Sequence, residues 1–211
     1  MTRGHAYCRG PLKRVLDVLV AAGVLLFLAP LLLVIAVVVL VGSGPPVLFI
    51  QERIGMDGRP FRLIKFRTMR RDGARGLPIT GRGDRRVTAA GRFLRASKLD
   101  ELPQLLNVLA GDMSLVGPRP EVPRYVARYT DEQRRVLDVR PGLTDPASVE
   151  FRNEEDLLGA VAEEVREQFY VESVLPAKLR MNLAYIDRAG VGCDLKLLLG
   201  TFGALFRPTR T

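Results

Sequence analysis

Between Val18 and Val41 the chain reads VLVAAGVLLFLAPLLLVIAVVVLV, without a charged or strongly polar side chain. As a helix this run is about 36 Å long, enough to cross the roughly 30 Å hydrocarbon layer of a bilayer. Pro30 lies near its middle, where it removes a backbone donor and crowds the preceding turn. A bend or break there leaves two halves of about 18 Å, each roughly half a bilayer. Both flanks are basic: Arg3, Arg9, Lys13 and Arg14 precede the run, and Arg53, Arg59, Arg62, Lys65 and Arg67 follow it. The positive-inside tendency keeps both flanks on the cytoplasmic side, which favours a re-entrant hairpin; a single-span anchor with a tolerated proline kink is the alternative. No small-residue cleavage pattern follows, so a signal peptide does not fit.

The polar remainder has shorter periods. Val47 to Gln51 and Phe61 to Phe66 read as strands joined by the turn-rich GMDGRP. A Gly- and Arg-rich loop spans Arg70 to Arg86. Thr88 is placed to cap a short helix, AAGRFLRAS, and a second helix is expected to start at Pro103 and stop at Gly111. Further helices are expected over Glu154 to Val171, Pro176 to Ala189 and Asp194 to Phe206. The last is apolar over a broad face, suited either to a membrane interface or to docking on the core. These elements predict a mixed α/β, helix-dominated fold. It comprises a re-entrant membrane helix broken at Pro30, a small β-hairpin and interfacial amphipathic helices. The expected division is a basic leader and membrane helix over 1–43 and a cytosolic catalytic domain over 44–211.

Composition narrows the chemistry. The net charge is +9. Thirteen Lys/Arg against four Asp/Glu between Glu52 and Arg95 supply a surplus equal to the whole of it. A basic surface beside a membrane segment attracts anionic lipid headgroups and phosphorylated ligands, at about 1 kcal/mol per residue for the lipids. The segment lacks interleaved aromatic residues, and no helix-turn-helix or zinc finger is legible, so nucleic acid is not an expected partner. Cys8 and Cys193 form neither a disulfide framework nor a metal knuckle. With His5 the lone histidine, no Ser/His/Asp triad or His-rich zinc site can be assembled. Catalysis is left to carboxylates, arginines and backbone groups.

Asp100 and Glu101 are the candidate carboxylates. Leu102 precedes Pro103 and is expected to be extended, placing both acids just outside the helix near its positive end. An ionised Asp can attack phosphorus, and a neighbouring carboxylate can hold a divalent cation that bridges the phosphates under attack. Such an oxygen-only site suits Mg²⁺. Taken alone, the pair reads more readily as the acidic decoration of an ordinary helix start. In GPRP, prolines on both sides restrict the backbone around Arg119, so its guanidinium can be held ready for a phosphate.

In these stretches the chain resembles the bacterial sugar transferases, monotopic phosphoglycosyl transferases that act on polyprenol phosphate. The resemblance rests on KRVLD at 13–17, the proline-interrupted apolar segment, GPPVLFIQERIG at 44–55 and KFRTM at 65–69. It continues through FLRASKLDELPQLLNVLAGDMSLVGPRP at 93–120 and RPGLTDPASVEFRNEEDLL at 140–158. It implies that Asp100 attacks the β-phosphate of a UDP-sugar, expels UMP and passes the sugar-phosphate to polyprenol phosphate. It further implies that Glu101 holds Mg²⁺ and that Arg95, Arg119 and Arg152 bind substrate phosphates and nucleotide. Membrane lipids are the implied surroundings, at the bacterial cytoplasmic membrane with the catalytic domain on the cytoplasmic face. The oligomeric state, a homodimer included, is left open. At the helix break relatives carry Ser-Pro where this chain has Ala29-Pro30, so one hydroxyl that could satisfy freed carbonyls is missing. Without the resemblance, a noncatalytic membrane adaptor using the basic face is the alternative.

Overall fold

A computed structural model of the chain describes residues 2–70, 79–81, 83–151 and 153–205. A short helix α1 (Arg3–Arg9), capped by the Thr2 hydroxyl, leads at Gly10 into α2 (Pro11–Ser43), with Pro11 in its first turn. The α2 helix is long and apolar enough to cross a membrane.

Pro30 is an internal residue of α2, and helical structure continues through it. The expected break is therefore absent as an interruption of the helix. A proline removes one rung of the hydrogen-bond ladder, and here packing fixes the helix on both sides of that rung. Before it, Lys13, Asp17 and Ala21 are buried. After it, Ile35 and Val39 pack with Phe66 and Leu94. At the C-terminal end Arg67 donates to the carbonyls of Ser43, at 2.6 Å, and Gly44. Between these anchors Leu26 and Phe27 are 81% and 83% exposed. Both ends of the apolar helix thus rest on the same folded body while its middle does not.

The expected hairpin is present as β1 (Leu48–Ile54) and β2 (Pro60–Phe66), antiparallel with Leu48 opposite Phe66 and Ile54 opposite Pro60. Its turn uses left-handed backbone at Asp57 and Gly58. Thr88 caps α3 (Ala89–Ala96) by accepting the Gly91 amide at 3.0 Å. Lys98 is left-handed, and a 3₁₀ turn over Leu99–Glu101 runs directly into α4 (Gln104–Ala110). Gly111, at φ 97°, ends that helix.

Leu102 departs from expectation, being helical at φ −53°, ψ −36° rather than extended. The chain breaks direction at Lys98 instead, and hydrogen bonds from Leu105 to Leu102 and from Leu106 to Pro103 carry the turn forward. This cooperative run overrides the pre-proline preference. Asp100 and Glu101 consequently sit inside the turn that starts the helix.

A second sheet was not expected. Strands β3 (Ser114–Val116) and β4 (Gly142–Thr144) pair in parallel, with Ser114 opposite Gly142 and Val116 opposite Thr144. The pairing brings Gly142 so near Gly117 that a Cβ on Gly142 would lie 2.1 Å from the Gly117 nitrogen. Two short helices, α5 (Pro123–Val126) and α6 (Asp131–Arg134), lie between the strands, and α7 (Pro146–Glu150) follows them.

The helix expected over Glu154 to Val171 is divided into α8 (Glu154–Gly159) and α9 (Glu163–Phe169), and a π turn joins α9 to α10 (Leu175–Arg188). The final helix, α11, covers Val191–Leu205. Its Leu197 and Leu198 pack on the core, whereas Leu195 and Leu199 remain exposed. It docks by one face and offers apolar side chains on the other. The core itself gathers around Val108, Met113, Val116, Tyr125 and Leu158, all at most 2% exposed.

Candidate active site

The β3 and β4 strands point their C-terminal ends in one direction. After β3 comes the loop Gly117–Pro120 carrying Arg119, and after β4 comes Asp145, which is fully buried. Asp145 caps α7 by accepting from the Ser148 amide, and its other oxygen accepts the Arg119 amide at 3.0 Å. The arginine backbone is therefore held by a carboxylate that cannot move. On the hairpin side, Arg53 donates to the Pro120 carbonyl at 2.9 Å and pairs with Glu121 at 3.5 Å. Glu121 in turn accepts from the Tyr170 hydroxyl at 2.6 Å. The loop expected to be rigid because of its prolines is pinned by Asp145 from one side and Arg53 from the other, and Tyr170 steadies the adjoining Glu121.

This scaffold presents the Arg119 guanidinium to Glu101. Two contacts, at 2.6 and 3.2 Å, join the planar donor to both carboxylate oxygens, the geometry of a charge-assisted, two-pronged pair. Burial pushes Glu101 up, but the charge and hydrogen bonds of Arg119, backed by Lys98 and Lys65, outweigh it and hold Glu101 well below the usual carboxylate range. Glu101 raises Arg119 in return.

Asp100 is treated oppositely. It is 5% exposed, and its Oδ1 is buried without a hydrogen-bond partner. Burial first, and then the neighbouring Glu101 charge, push its carboxyl up to about 6, against the pull of Lys65, Arg95 and Lys98. Lys65, on β2, is itself brought down to about 8 by burial, although Asp100 and Glu101 favour its charge. Two adjacent carboxylates thus acquire different characters: one clamped and ionised, the other poorly solvated and less committed to its charge. Paired titratable groups pushed apart in this way mark functional sites.

Lys65, Lys98, Asp100, Glu101 and Arg119 border one open cavity of about 2030 Å³, which Arg95 also lines. Arg95 makes a close pair with Glu155, with its Nε 2.9 Å from Oε1. Arg152 lies outside the described residues. The sequence-predicted site therefore comes together for Asp100, Glu101, Arg95 and Arg119. Lys65, Lys98, Arg53 and Glu155 were not singled out for the site. Lys65 had a signal, a lysine between Ile64 and Phe66 on a strand, where burial is costly without acidic partners. Pro30 sits in α2 away from these groups and is not among the cavity-lining residues.

The donor set is compatible with a hard divalent cation. Among the described residues no three His, Cys, Asp or Glu side chains cluster as a metal cage. However, Mg²⁺ commonly takes only one or two protein carboxylates and completes its shell with phosphate and water. The ionised Glu101 offers that minimum, because a carboxylate oxygen bound by arginine retains a second lone pair.

A buried acid ringed by cations, opening beside a long apolar helix, is a site built to handle anions near a membrane. The chain belongs to the bacterial sugar transferase family, whose pattern it matches over residues 8–208. It is 41% identical over 206 residues to the UDP-glucose:undecaprenyl-phosphate glucose-1-phosphate transferase of Caulobacter vibrioides, covering 92% of this chain and 69% of that protein. It is 35% identical to the transferase of the same name from Escherichia coli over 90% of this chain, but over only 39% of that longer protein. A UDP-N-acetylgalactosamine-undecaprenyl-phosphate N-acetylgalactosaminephosphotransferase of Aeromonas hydrophila is 41% identical over 65% of this chain and 34% of its own length.

Proposed function

We propose that this chain transfers a sugar-1-phosphate from a UDP-sugar to a polyprenol phosphate at the cytoplasmic face of a bacterial inner membrane, initiating a surface glycan or glycoconjugate. The observation that carries this reading is the state of Asp100. Its buried Oδ1 has no partner, in a cavity whose lining includes Lys65, Arg95, Lys98 and Arg119. Such an oxygen is a nucleophile lacking its electrophile, and the cations around it match a diphosphate. The named activities of the relatives supply the donor and acceptor classes; because glucose and N-acetylgalactosamine enzymes are both similar to this chain, they leave the sugar unassigned.

In the first half-reaction, the Asp100 carboxylate attacks the β-phosphorus of the UDP-sugar. A bond forms from its oxygen to that phosphorus, the bond to the oxygen bridging to the α-phosphate breaks, and UMP departs with the electron pair. Arg119 and Arg95 offset charge on the phosphoryl oxygens, and Lys65 stands close enough to Asp100 to favour its ionised form. In the second half-reaction, a phosphate oxygen of the acceptor attacks the same phosphorus and regenerates the Asp100 carboxylate. The product is a polyprenyl diphosphosugar. Mg²⁺, held through Glu101, would neutralise charge on the donor diphosphate. The covalent stage allows a water-soluble donor and a lipid acceptor to use one site in turn.

The helix α2 anchors this site to the membrane. Its two ends rest on the catalytic body with an exposed middle, which supports a re-entrant arrangement with the body on one side of the bilayer. Incubating purified protein with Mg²⁺ and a panel of UDP-sugars should release UMP from at least one donor. Mass spectrometry of the quenched protein should find a sugar-phosphate on the peptide containing Asp100. Undiminished UMP release by Asp100→Asn would overturn the assignment.

A further inference from the structure

The helices α2 and α11 are pinned together near their N-terminal ends. Lys13 on α2 contacts Asp194 on α11 at 2.5 Å, and the hydroxyls of Tyr7 and Tyr185 donate to the same carboxylate at 3.0 and 2.6 Å. Both helices also rest on the parallel sheet. Asp17 of α2 accepts from the Ser114 hydroxyl at 2.7 Å and the Leu115 amide at 3.2 Å. On α11, the Thr201 hydroxyl lies 2.7 Å from that of Thr144 at the end of β4.

Beyond the pin both helices present side chains to the catalytic cavity. Val20 and Val24 of α2, and Leu198, Thr201 and Phe202 of α11, all border the catalytic cavity. Val20 stands about 10 Å along α2 from the lysine that makes the pin. The cavity wall is therefore apolar on both helices, with the Thr144–Thr201 pair between them. Thr144 is bonded in sequence to Asp145, which holds the Arg119 backbone, and Arg119 clamps Glu101 beside Asp100. A continuous series of contacts leads from the catalytic acids to the space between two apolar helices.

We propose that this space is where the acceptor's hydrocarbon chain enters. The isoprene units next to the phosphate lie between Val20 and Val24 on one side and Leu198 and Phe202 on the other, and they bring the phosphate past Thr144 to Asp100. This inference rests on the proposed transfer to a polyprenol phosphate and adds the residues that receive the lipid. Three observations select a lipid chain as the occupant. The walls are apolar, one of them is the helix fit to enter a membrane, and the space is continuous with the cation-lined reaction centre. A sugar or nucleotide would leave its hydroxyls unpaired against valine and leucine, whereas an isoprenoid chain has only methylene, methyl and olefinic groups to bury.

The test separates the half-reactions. Val20 is 43% exposed, so Val20→Trp adds bulk to the space without emptying the core. With UDP-sugar alone, a single UMP burst should remain near one per active site. With a long polyprenol phosphate in micelles, kcat/KM for the acceptor should fall at least tenfold. Phe27→Trp, on the exposed part of α2 outside the cavity, should leave the acceptor kinetics as they were. Unchanged acceptor kinetics in Val20→Trp would overturn the proposal. An equal fall in Phe27→Trp would do the same, because it would indicate a general membrane effect. Loss of the burst in Val20→Trp would also count against it, since the space would then belong to the donor site. Absence of a burst in the unaltered protein would overturn the covalent reaction instead.

Discussion

Glu101 and Arg119 stand 18 residues apart in sequence and meet through two contacts of 2.6 and 3.2 Å, so the arginine is positioned by the acid that precedes α4 and by the buried Asp145 behind it. A lysine could supply the charge but not the planar fork. Arg119→Lys is therefore expected to lower kcat for UMP release by about two orders of magnitude. Thermal stability should fall by only about 1–2 kcal/mol, because both partners retain some contact with solvent. Steady-state kinetics alongside calorimetry would check the split. A proportionate loss of both would indicate that Arg119 matters only for folding.

Asp100 should oppose the stability of the fold at neutral pH. Its folded-state carboxyl is raised to about 6 from 3.8 by burial and by Glu101, so the folded chain binds that proton more tightly than the unfolded chain. The contribution of Asp100 to stability consequently declines as pH rises from about 4 through about 6. Above that window its ionisation costs at most about 3 kcal/mol. In metal-free buffer at pH 7.5, Asp100→Asn should abolish UMP release and raise the melting temperature. Near pH 4 that stability difference should largely vanish. Adding Mg²⁺ should stabilise the unaltered protein more than the variant, because the cation binds the ionised form. A variant less stable than the parent at pH 7.5 would refute the burial argument.

What was legible in the sequence was local. Thr88 as a cap, Gly111 as a helix stop and Gly58 in the hairpin turn each announce a specific backbone need, and all three are met. The acidic pair was legible because it adjoins a proline-led helix. The parallel sheet was not, since three residues per strand cannot display an alternation and its stabilising partner lies 28 positions away. Burial of Lys13 against Asp194 was hidden for the same reason: the residues are 181 positions apart, and each looks like ordinary surface charge. The helix through Pro30 shows the converse error, in which a local rule was outweighed by anchoring at both ends.

Glu155 occupies the guanidinium of Arg95 through a close pair. Because the carboxylate is 47% exposed, the pair stabilises the free enzyme by no more than about 1 kcal/mol. In the proposed reaction a donor phosphate competes with Glu155 for the Nε and Nη2 donors of Arg95. Glu155→Gln should lower the donor KM by about twofold to fivefold with little change in kcat. A raised KM would show that Glu155 instead contacts the donor.

The buried pin between α1, α2 and α11 should be costly to break from one side. Lys13 and Asp194 have side chains only 4% and 11% exposed. Asp17 stands 3.7 Å from Lys13 but also accepts from Ser114 and Leu115, so removing Asp194 leaves the lysine with only its longer ion pair in a poorly solvated place. Asp194→Leu is expected to cost about 3 kcal/mol, whereas Lys13→Met together with Asp194→Leu should cost less than the sum of the two single changes. Chemical denaturation of the four proteins would measure the coupling. Strict additivity would mean that the tyrosines, rather than the lysine, satisfy Asp194.

Topology follows from where the ends of α2 are held. Asp17 bonds to β3, Ile35 and Val39 pack with Phe66 and Leu94, and Arg67 holds the carbonyls of Ser43 and Gly44. Pulling α2 straight through a bilayer would place one of these anchors on the far side and sacrifice its contacts. Burial of four apolar side chains alone is worth several kcal/mol, enough to keep the C-terminal anchor in place. In a chain with Cys8 and Cys193 replaced, cysteines at Thr2 and at Arg59, both exposed, should be shielded from an impermeant thiol reagent in intact cells. Both should react once the cytoplasmic side is opened. Labelling of Thr2→Cys from outside while Arg59→Cys stays protected would establish a complete crossing, and the packing of Ile35 and Val39 against Phe66 would then have to be the only anchor the membrane-embedded chain retains.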